Sequence, residues 1–234
     1  MGERLGALVS GASRGLGRAL SIELIRKGLD VFGTARDEAG LIETARACDG
    51  PGSFTYGLLD LRRESAIAEL VGRPRNLSIC IVNAGVAAKK PFLESAGPDL
   101  MAQFDVNVFG ALALMRECAL RMSREGGGRI VTIASDAAVK GIPGMAAYVA
   151  SKHAVLGLSR TLDLELSPAG VQVTTVFPGP IGTNILGPID PDAAYMDVHE
   201  AARTIVVTLL ACGNTTRVSE LHLTPWRDPT TIRS

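Results

Sequence analysis

Tyr148 and Lys152 stand four residues apart in a stretch from about Ala146 to Ser167 whose alanine- and leucine-rich pattern reads as helix. Residues at that spacing share one helix face, so the phenol and the ammonium can address the same ligand. A free tyrosine, with a pKa of about 10, is a poor proton donor or acceptor at neutral pH. A neighbouring ammonium favours the phenolate, so the expectation is a lowered pKa and proton transfer nearer the working pH. Tyr and Lys at this spacing also decorate many surface helices, and the pair alone assigns nothing.

Ser135 adds weight. It follows Ile130-Val131-Thr132-Ile133-Ala134, which reads as a buried strand, and open α/β sheets bind ligands beyond the carboxyl ends of their strands. A hydroxyl there can hydrogen-bond a substrate oxygen and stabilise charge developing on it, although a serine at a strand end equally caps a turn. Near the N-terminus, Gly11-Ala12-Ser13-Arg14-Gly15-Leu16-Gly17 lies between an apolar run and a helical one. Glycines in that context let the backbone turn tightly and approach a pyrophosphate, whose charge is met by amide N–H groups and the helix N-terminus.

The elements that must position these residues alternate along the whole chain. Strands are expected at Gly6 to Ser10, Asp30 to Thr34, Ser53 to Leu59, Leu77 to Val82, Arg129 to Ala134, Val171 to Phe177 and Val218 to Leu223, with helices between most of them. Leu16, Leu20 and Leu24 mark the first helix and Gly28 its stop. Two long helices are expected, from Asp99 to Glu125 and from Ala146 to Ser167, the second ended by Pro168-Ala169-Gly170. Both are apolar on several faces, which points to a subunit contact as well as sheet packing and predicts a homodimer or homotetramer. The pattern predicts one α/β domain over residues 1–234, a doubly wound parallel sheet of about seven strands with helices on both faces.

Lys plus Arg and Asp plus Glu each number 24, a formal net charge of zero that gives no electrostatic case for nucleic acid or an anionic membrane. Cys48, Cys80, Cys118 and Cys212 form no metal-ligand spacing and read as buried free thiols of a reducing compartment. The first residues lack the apolar region of a signal peptide and no apolar run approaches a membrane span, so a soluble, cytoplasmic protein is expected.

The GxxxGxG spacing resembles the short-chain dehydrogenase/reductase family, whose usual form has Thr where this chain has Ser10. The resemblance extends to Asn83-Ala84-Gly85, Asn107 in Asn-Val-Phe-Gly, Ser135, Tyr148-Val-Ala-Ser-Lys152 and Pro178-Gly179, covering residues from about 7 to 185. It implies a Rossmann-type fold and hydride transfer between a nicotinamide and a carbonyl or alcohol carbon of a small molecule. Tyr148 would act as general acid in reduction, Lys152 would also hold the nicotinamide ribose, and Asn107 would bind a water that relays protons from Lys152 to solvent. Asp60 and Leu61 take the adenine position, with Asp60 also placed to cap a following helix; Asn83 to Gly85 pass the adenine ribose, and Pro178, Gly179, Ile181 and Thr183 surround the nicotinamide. The complete set Asn107, Ser135, Tyr148 and Lys152 favours an enzyme over the alternative, a non-catalytic NADP-binding sensor or scaffold. Isomerases and dehydratases of the extended branch usually carry a much larger C-terminal domain.

Where an NAD enzyme places an acidic residue on the ribose 2′-hydroxyl, this chain reads Gly33-Thr34-Ala35-Arg36. Arg36, with Arg14 on the same side by the resemblance, offers a 2′-phosphate a planar fork of donors, so NADP(H) is expected, although Asp37 is placed to pair with either arginine. The interval from Asp60 to Leu77 is shorter than the family's, and Ile-Val precedes Asn83 where a second Asn is common; both bear on the third helix, not the chemistry. Lys89 and Lys90 face either an acidic substrate group or solvent. Finally, Asn184 to Met196, with Gly187, Pro188 and Pro191, leaves little chain for a lid. That predicts an open cleft for a bulky, ring-bearing or carrier-bound substrate, or else a mouth covered by a partner's tail, Trp226 to Ser234.

Overall fold

The computed structural model describes residues 4–183, 185, 194–213 and 215–226. Seven strands, β1 (Gly6–Ser10), β2 (Asp30–Ala35), β3 (Phe54–Leu58), β4 (Leu77–Val82), β5 (Gly128–Ile133), β6 (Val171–Pro178) and β7 (Glu220–Leu223), form one sheet in the order β3-β2-β1-β4-β5-β6-β7, every pair parallel. The fold is the expected Rossmann-type α/β fold. The helices are α1 (Gly15–Arg26), α2 (Glu38–Ala47), α3 (Glu64–Val71), α4 (Gly97–Phe104), α5 (Ala111–Arg124), α6 (Ala146–Leu166) and α7 (Val198–Ala211).

Alternation along the central strands divides the interior into two cores. Val9, Ile81 and Val131 point to one face, where they meet Leu20 and Leu24 of α1 and Ile205 and Val206 of α7. Their neighbours Leu8, Cys80 and Ile130 point to the other, against Ile67 of α3 and Leu114 and Met115 of α5. Burial on both faces explains why these strands read as unbroken apolar runs.

The expected strands agree with the observed ones to within about two residues at each end. Gly28, at φ +86°, follows the end of α1, and Gly170, at φ +75°, follows a 3₁₀ turn at Ser167–Ala169 after α6; both take the left-handed region that side chains avoid. The short interval after Asp60 still accommodates α3, with Ile67, Leu70 and Val71 buried. The long helix expected from Asp99 to Glu125 is present without a break from Gly97 to Arg124, α4 running into α5 through a wider π turn at Asp105–Gly110. All four cysteines are free; Cys80 and Cys118 are fully buried, Cys48 and Cys212 half-buried. Among the described residues no helix is long and apolar enough to cross a membrane. Most of the segment read as a short lid, and the tail beyond Trp226, lie outside the described residues.

Candidate active site

From β1 the strand order runs outward through β2 and β3 on one side and through β4 to β7 on the other. The connections therefore leave in opposite directions and open a crevice at the carboxyl ends. A cavity of about 1080 Å³ lies there, at the large end of ligand-site sizes. It is lined by every residue that the sequence nominates for catalysis or cofactor binding except Asn107, which is buried just behind it; Lys89 and Lys90 do not line it.

The nucleotide end is shaped by backbone. Gly11 (φ +70°) and Gly15 (φ +53°) are left-handed, and a Cβ on Gly11 would lie 2.9 Å from the Ala84 Cα. A Cβ on Gly17 would lie 2.1 Å from the Gly11 carbonyl oxygen, so the first turn of α1 sits directly on the loop before it. That turn has no side-chain cap and no acidic residue, leaving its N–H groups and positive dipole end to an anion. Ser10 ties this loop to β4: its Oγ accepts from the amides of Asn83 (3.0 Å) and Ala84 (3.1 Å) and donates to the Ile81 carbonyl (3.3 Å). Asn83 Nδ2 donates back to the Ser10 carbonyl at 3.0 Å. Across the cavity, Thr183 approaches Gly15, and the Gly179 amide donates to the Leu223 carbonyl at 2.7 Å, which anchors the loop after β6. The residues fit a dinucleotide: a cradle that side chains would fill, an open helix N-terminus, and Arg14 and Arg36 on the rim.

Neither arginine forms a salt bridge among the described residues. Asp37 is not their partner; it caps α2, its Oδ1 accepting from the Gly40 amide at 3.1 Å. Asp60 does not cap α3, whose N-cap position is Arg63. Its carboxylate is held by the side chain and amide of Arg62, which bring its pKa down to about 2. Leu61 is buried under the π turn, against Gly110. Lys90 pairs with Asp99 at 2.8 Å, and the stem of Lys89 lies beside Gly144.

The catalytic end is shaped by side chains. Tyr148 and Lys152 share the inner face of α6, the Lys152 ammonium 5.7 Å from the phenol ring centroid and donating to the Ile133 carbonyl at 2.9 Å. Burial pushes Lys152 down to about 8. The lowered phenol pKa expected from that ammonium is not found: burial, the dominant cause, raises Tyr148, the Asp136 charge raises it further, and only the Ser135 hydroxyl acts the other way. Desolvation penalises the phenolate more than the Ser135 hydroxyl favours it. Ser135 lines the cavity beside Tyr148, and its Oγ accepts from the Ala137 amide at 3.1 Å and so caps a 3₁₀ turn, Asp136–Ala138.

Asn107 projects from the π turn, a geometry common near functional sites. Its Oδ1 accepts from the Val86 amide (2.8 Å), and its Nδ2 donates to the Val86 carbonyl (2.9 Å) and to Ser151 Oγ (3.0 Å). Both amide hydrogens are therefore used within the protein, and the side chain braces the β4 loop against α6. Sequence reading missed Ser151 in this brace, and it missed Asp136 and Lys140 at the cavity wall. Asp136 accepts from Ser135 Oγ at 2.9 Å and pairs with Lys140 at 2.7 Å; its adjacency to Ser135 and the i,i+4 spacing to Lys140 were the available signals. Among the described residues no three His, Cys, Asp or Glu side chains are grouped to hold a metal.

Such a site can hold a dinucleotide at one end and exchange a proton with a substrate oxygen at the other. A family model described as short chain dehydrogenase matches residues 6–194. Human 17-beta-hydroxysteroid dehydrogenase type 1 is 32% identical, over 95% of this chain and 74% of that one. An alcohol dehydrogenase from the archaeon Thermococcus sibiricus, solved with 5-hydroxy-NADP, superposes with a TM-score of 0.88 at 26% identity, covering 97% of this chain and 98% of that one. A point variant of actinorhodin polyketide ketoreductase, solved with NADPH, superposes with a TM-score of 0.83 at 27% identity, covering 95% and 96%. The chain belongs to the short-chain dehydrogenase/reductase family, oxidoreductases that use a nicotinamide cofactor on carbonyl and alcohol carbons.

Proposed function

We propose that the protein is an NADP(H)-dependent ketoreductase of a bulky or cyclic small molecule, cofactor and substrate being held by one domain. The observation that carries the cofactor choice is the pair Arg14 and Arg36 on the cavity rim, with the nearby carboxylates bonded elsewhere, Asp37 at the start of α2 and Asp60 to Arg62. A 2′-phosphate there meets two guanidinium forks. The cofactor supplies the hydride; the protein supplies position and electrostatics. Tyr148, kept protonated by burial, gives its proton to the substrate oxygen, and Ser135 steadies that oxygen. Lys152, held on the Ile133 carbonyl, orients the ribose side of the site and keeps a positive charge beside the phenol.

The substrate end is walled by Val86, Ala87, Ile142, Pro143 and Met145. This apolar surface suits a ring system, in keeping with the steroid and polyketide named for two of the relatives. Leu164 on α6 and Phe109 and Leu120 on the π turn and α5 leave apolar side chains exposed, and a second copy of the chain is the cover we propose for them. A cytoplasmic location completes the proposal. The test is a panel of small and large cyclic ketones with NADPH or NADH, consumption being followed optically. Turnover of a large cyclic ketone with NADPH well ahead of NADH is expected. Cofactor binding without turnover of any ketone or alcohol would instead identify a sensor or scaffold.

A further inference from the structure

We propose that Asp136 is a positioning residue: it takes the Ser135 hydrogen, fixes the direction of hydrogen bonding at the catalytic end, and so holds Tyr148 as the proton donor. This rests on the proposed function for its meaning in catalysis but not for its geometry. A serine hydroxyl has one hydrogen and two lone pairs. At Ser135 one lone pair accepts from the Ala137 amide at 3.1 Å, and the hydrogen goes to Asp136 Oδ1 at 2.9 Å. A carboxylate only accepts, so this bond has a single direction. In the absence of substrate, what Ser135 turns toward Tyr148 is a lone pair, which suits a phenol and repels a phenolate. The help that Ser135 gives the phenolate requires its hydrogen to point at Tyr148, and that hydrogen is engaged elsewhere.

Lys140 closes the chain. Its ammonium, from just beyond the 3₁₀ turn, lies 2.7 Å from the other Asp136 oxygen, with the lysine side chain about half exposed and the aspartate largely covered. The ion pair moderates the negative field that Asp136 casts on Tyr148, and being open to solvent it does so only in part. The other groups around the phenol are few. On α6 the charged neighbour is Lys152; from the β4 loop the contact is Ala87; the loop before α6 contributes Ile142 and Met145. Lys90 is paired with Asp99, Lys89 lies beyond Gly144, and Tyr195 lines the cavity. Asp136 is thus the anionic group acting on Tyr148, and Lys140 is the cation acting on Asp136. Asn107 and Ser151 are neutral.

The two charges give tests of opposite sign. Asp136→Asn removes the anion and the acceptor-only partner of Ser135, since an amide can meet that hydroxyl with either its oxygen or its NH2; Lys140→Met strengthens the uncompensated anion. Phenolate formation at Tyr148 is followed by ultraviolet titration of the cofactor-free protein in a Tyr56→Phe, Tyr195→Phe background, and kcat/KM for reduction of a cyclic ketone by NADPH is followed against pH in parallel. We expect Asp136→Asn to lower the pH of phenolate formation by roughly one unit, and Lys140→Met to raise it by less. The basic limb of the reduction profile should move in the same directions. Unmoved titrations, or shifts of the same sign in both variants, would overturn the proposal, as would a loss of turnover at every pH with the titration unchanged. If Asp136→Asn does not fold, the upward shift in Lys140→Met decides alone. Absence of turnover in the parent defeats the proposed function and leaves the phenolate titration to decide this inference.

Discussion

At the nucleotide end of the cavity, Gly11 and Gly17 leave no room for a side chain and Gly15 holds a left-handed turn, and the ligand groups are amides and a helix end. At the catalytic end, Ser135, Tyr148 and Lys152 act through side chains whose charge states depend on burial and on neighbours from β5, the turn after it and α6. The first end is a shape, tolerant of surrounding chemistry but not of added volume. The second is a set of proton equilibria, tolerant of small volume changes but not of a moved charge. Substitutions at the two ends should therefore fail differently, one in binding and the other in turnover.

The largest effect is expected for Tyr148→Phe, which keeps the ring and removes the proton. Ketone reduction should fall about a hundred- to ten-thousand-fold, the usual weight of a general acid, while NADPH binding measured by fluorescence stays near the parent value. Most activity surviving would remove Tyr148 from the mechanism and erase the contrast. Gly17→Ala tests the other end. Its Cβ would lie 2.1 Å from the Gly11 carbonyl oxygen and 2.6 Å from Asn83 Nδ2, a clash that only movement of the loop relieves. Overpacking of this kind costs about 1–3 kcal/mol, so NADPH affinity should drop by up to about a hundred-fold. Normal affinity would show that the cradle is not set by backbone.

Arg36→Ala sharpens the division within the nucleotide end, because it changes charge and leaves the loop alone. Loss of a charge-assisted bond should weaken NADPH about ten-fold or more and hardly affect NADH. Equal weakening of both cofactors would assign Arg36 to the loop's stability and not to the 2′-phosphate.

The same division decides what the sequence made legible. A backbone constraint writes itself into residue type at fixed spacing, so Gly11, Gly15 and Gly17 were visible as glycines between a strand and a helix. Stop signals such as Gly28 and Gly170 were visible for the same reason. The catalytic side chains were visible as types, but their environment was not. The direction of the Tyr148 shift depends on how far α6 sinks against β5, and the engagement of Asn107 depends on where the π turn sets it relative to Val86. Asp136 went unnoticed because an aspartate after a strand usually faces water; only the fold turns it back onto Ser135.

Ser10 joins the two regimes, and its replacement is the subtlest test. It is a fully buried side chain, so its role belongs to chemistry, yet its Oγ serves backbone alone, receiving the Asn83 and Ala84 amides and donating to the Ile81 carbonyl. Ser10→Ala leaves two amides without that acceptor, at a cost of about 1–3 kcal/mol, which for a chain of this size is a fall in Tm of roughly 2–10 °C. Ser10→Thr keeps the oxygen and adds one methyl, the form usual in the family, and should hold Tm close to the parent. Turnover per bound cofactor should be the same in all three proteins, because no reacting atom touches Ser10. A fall in kcat without a fall in Tm would mean that the β1–β4 staple sets the position of the reacting groups, and the two ends of the cavity would then have to be regarded as one mechanical unit.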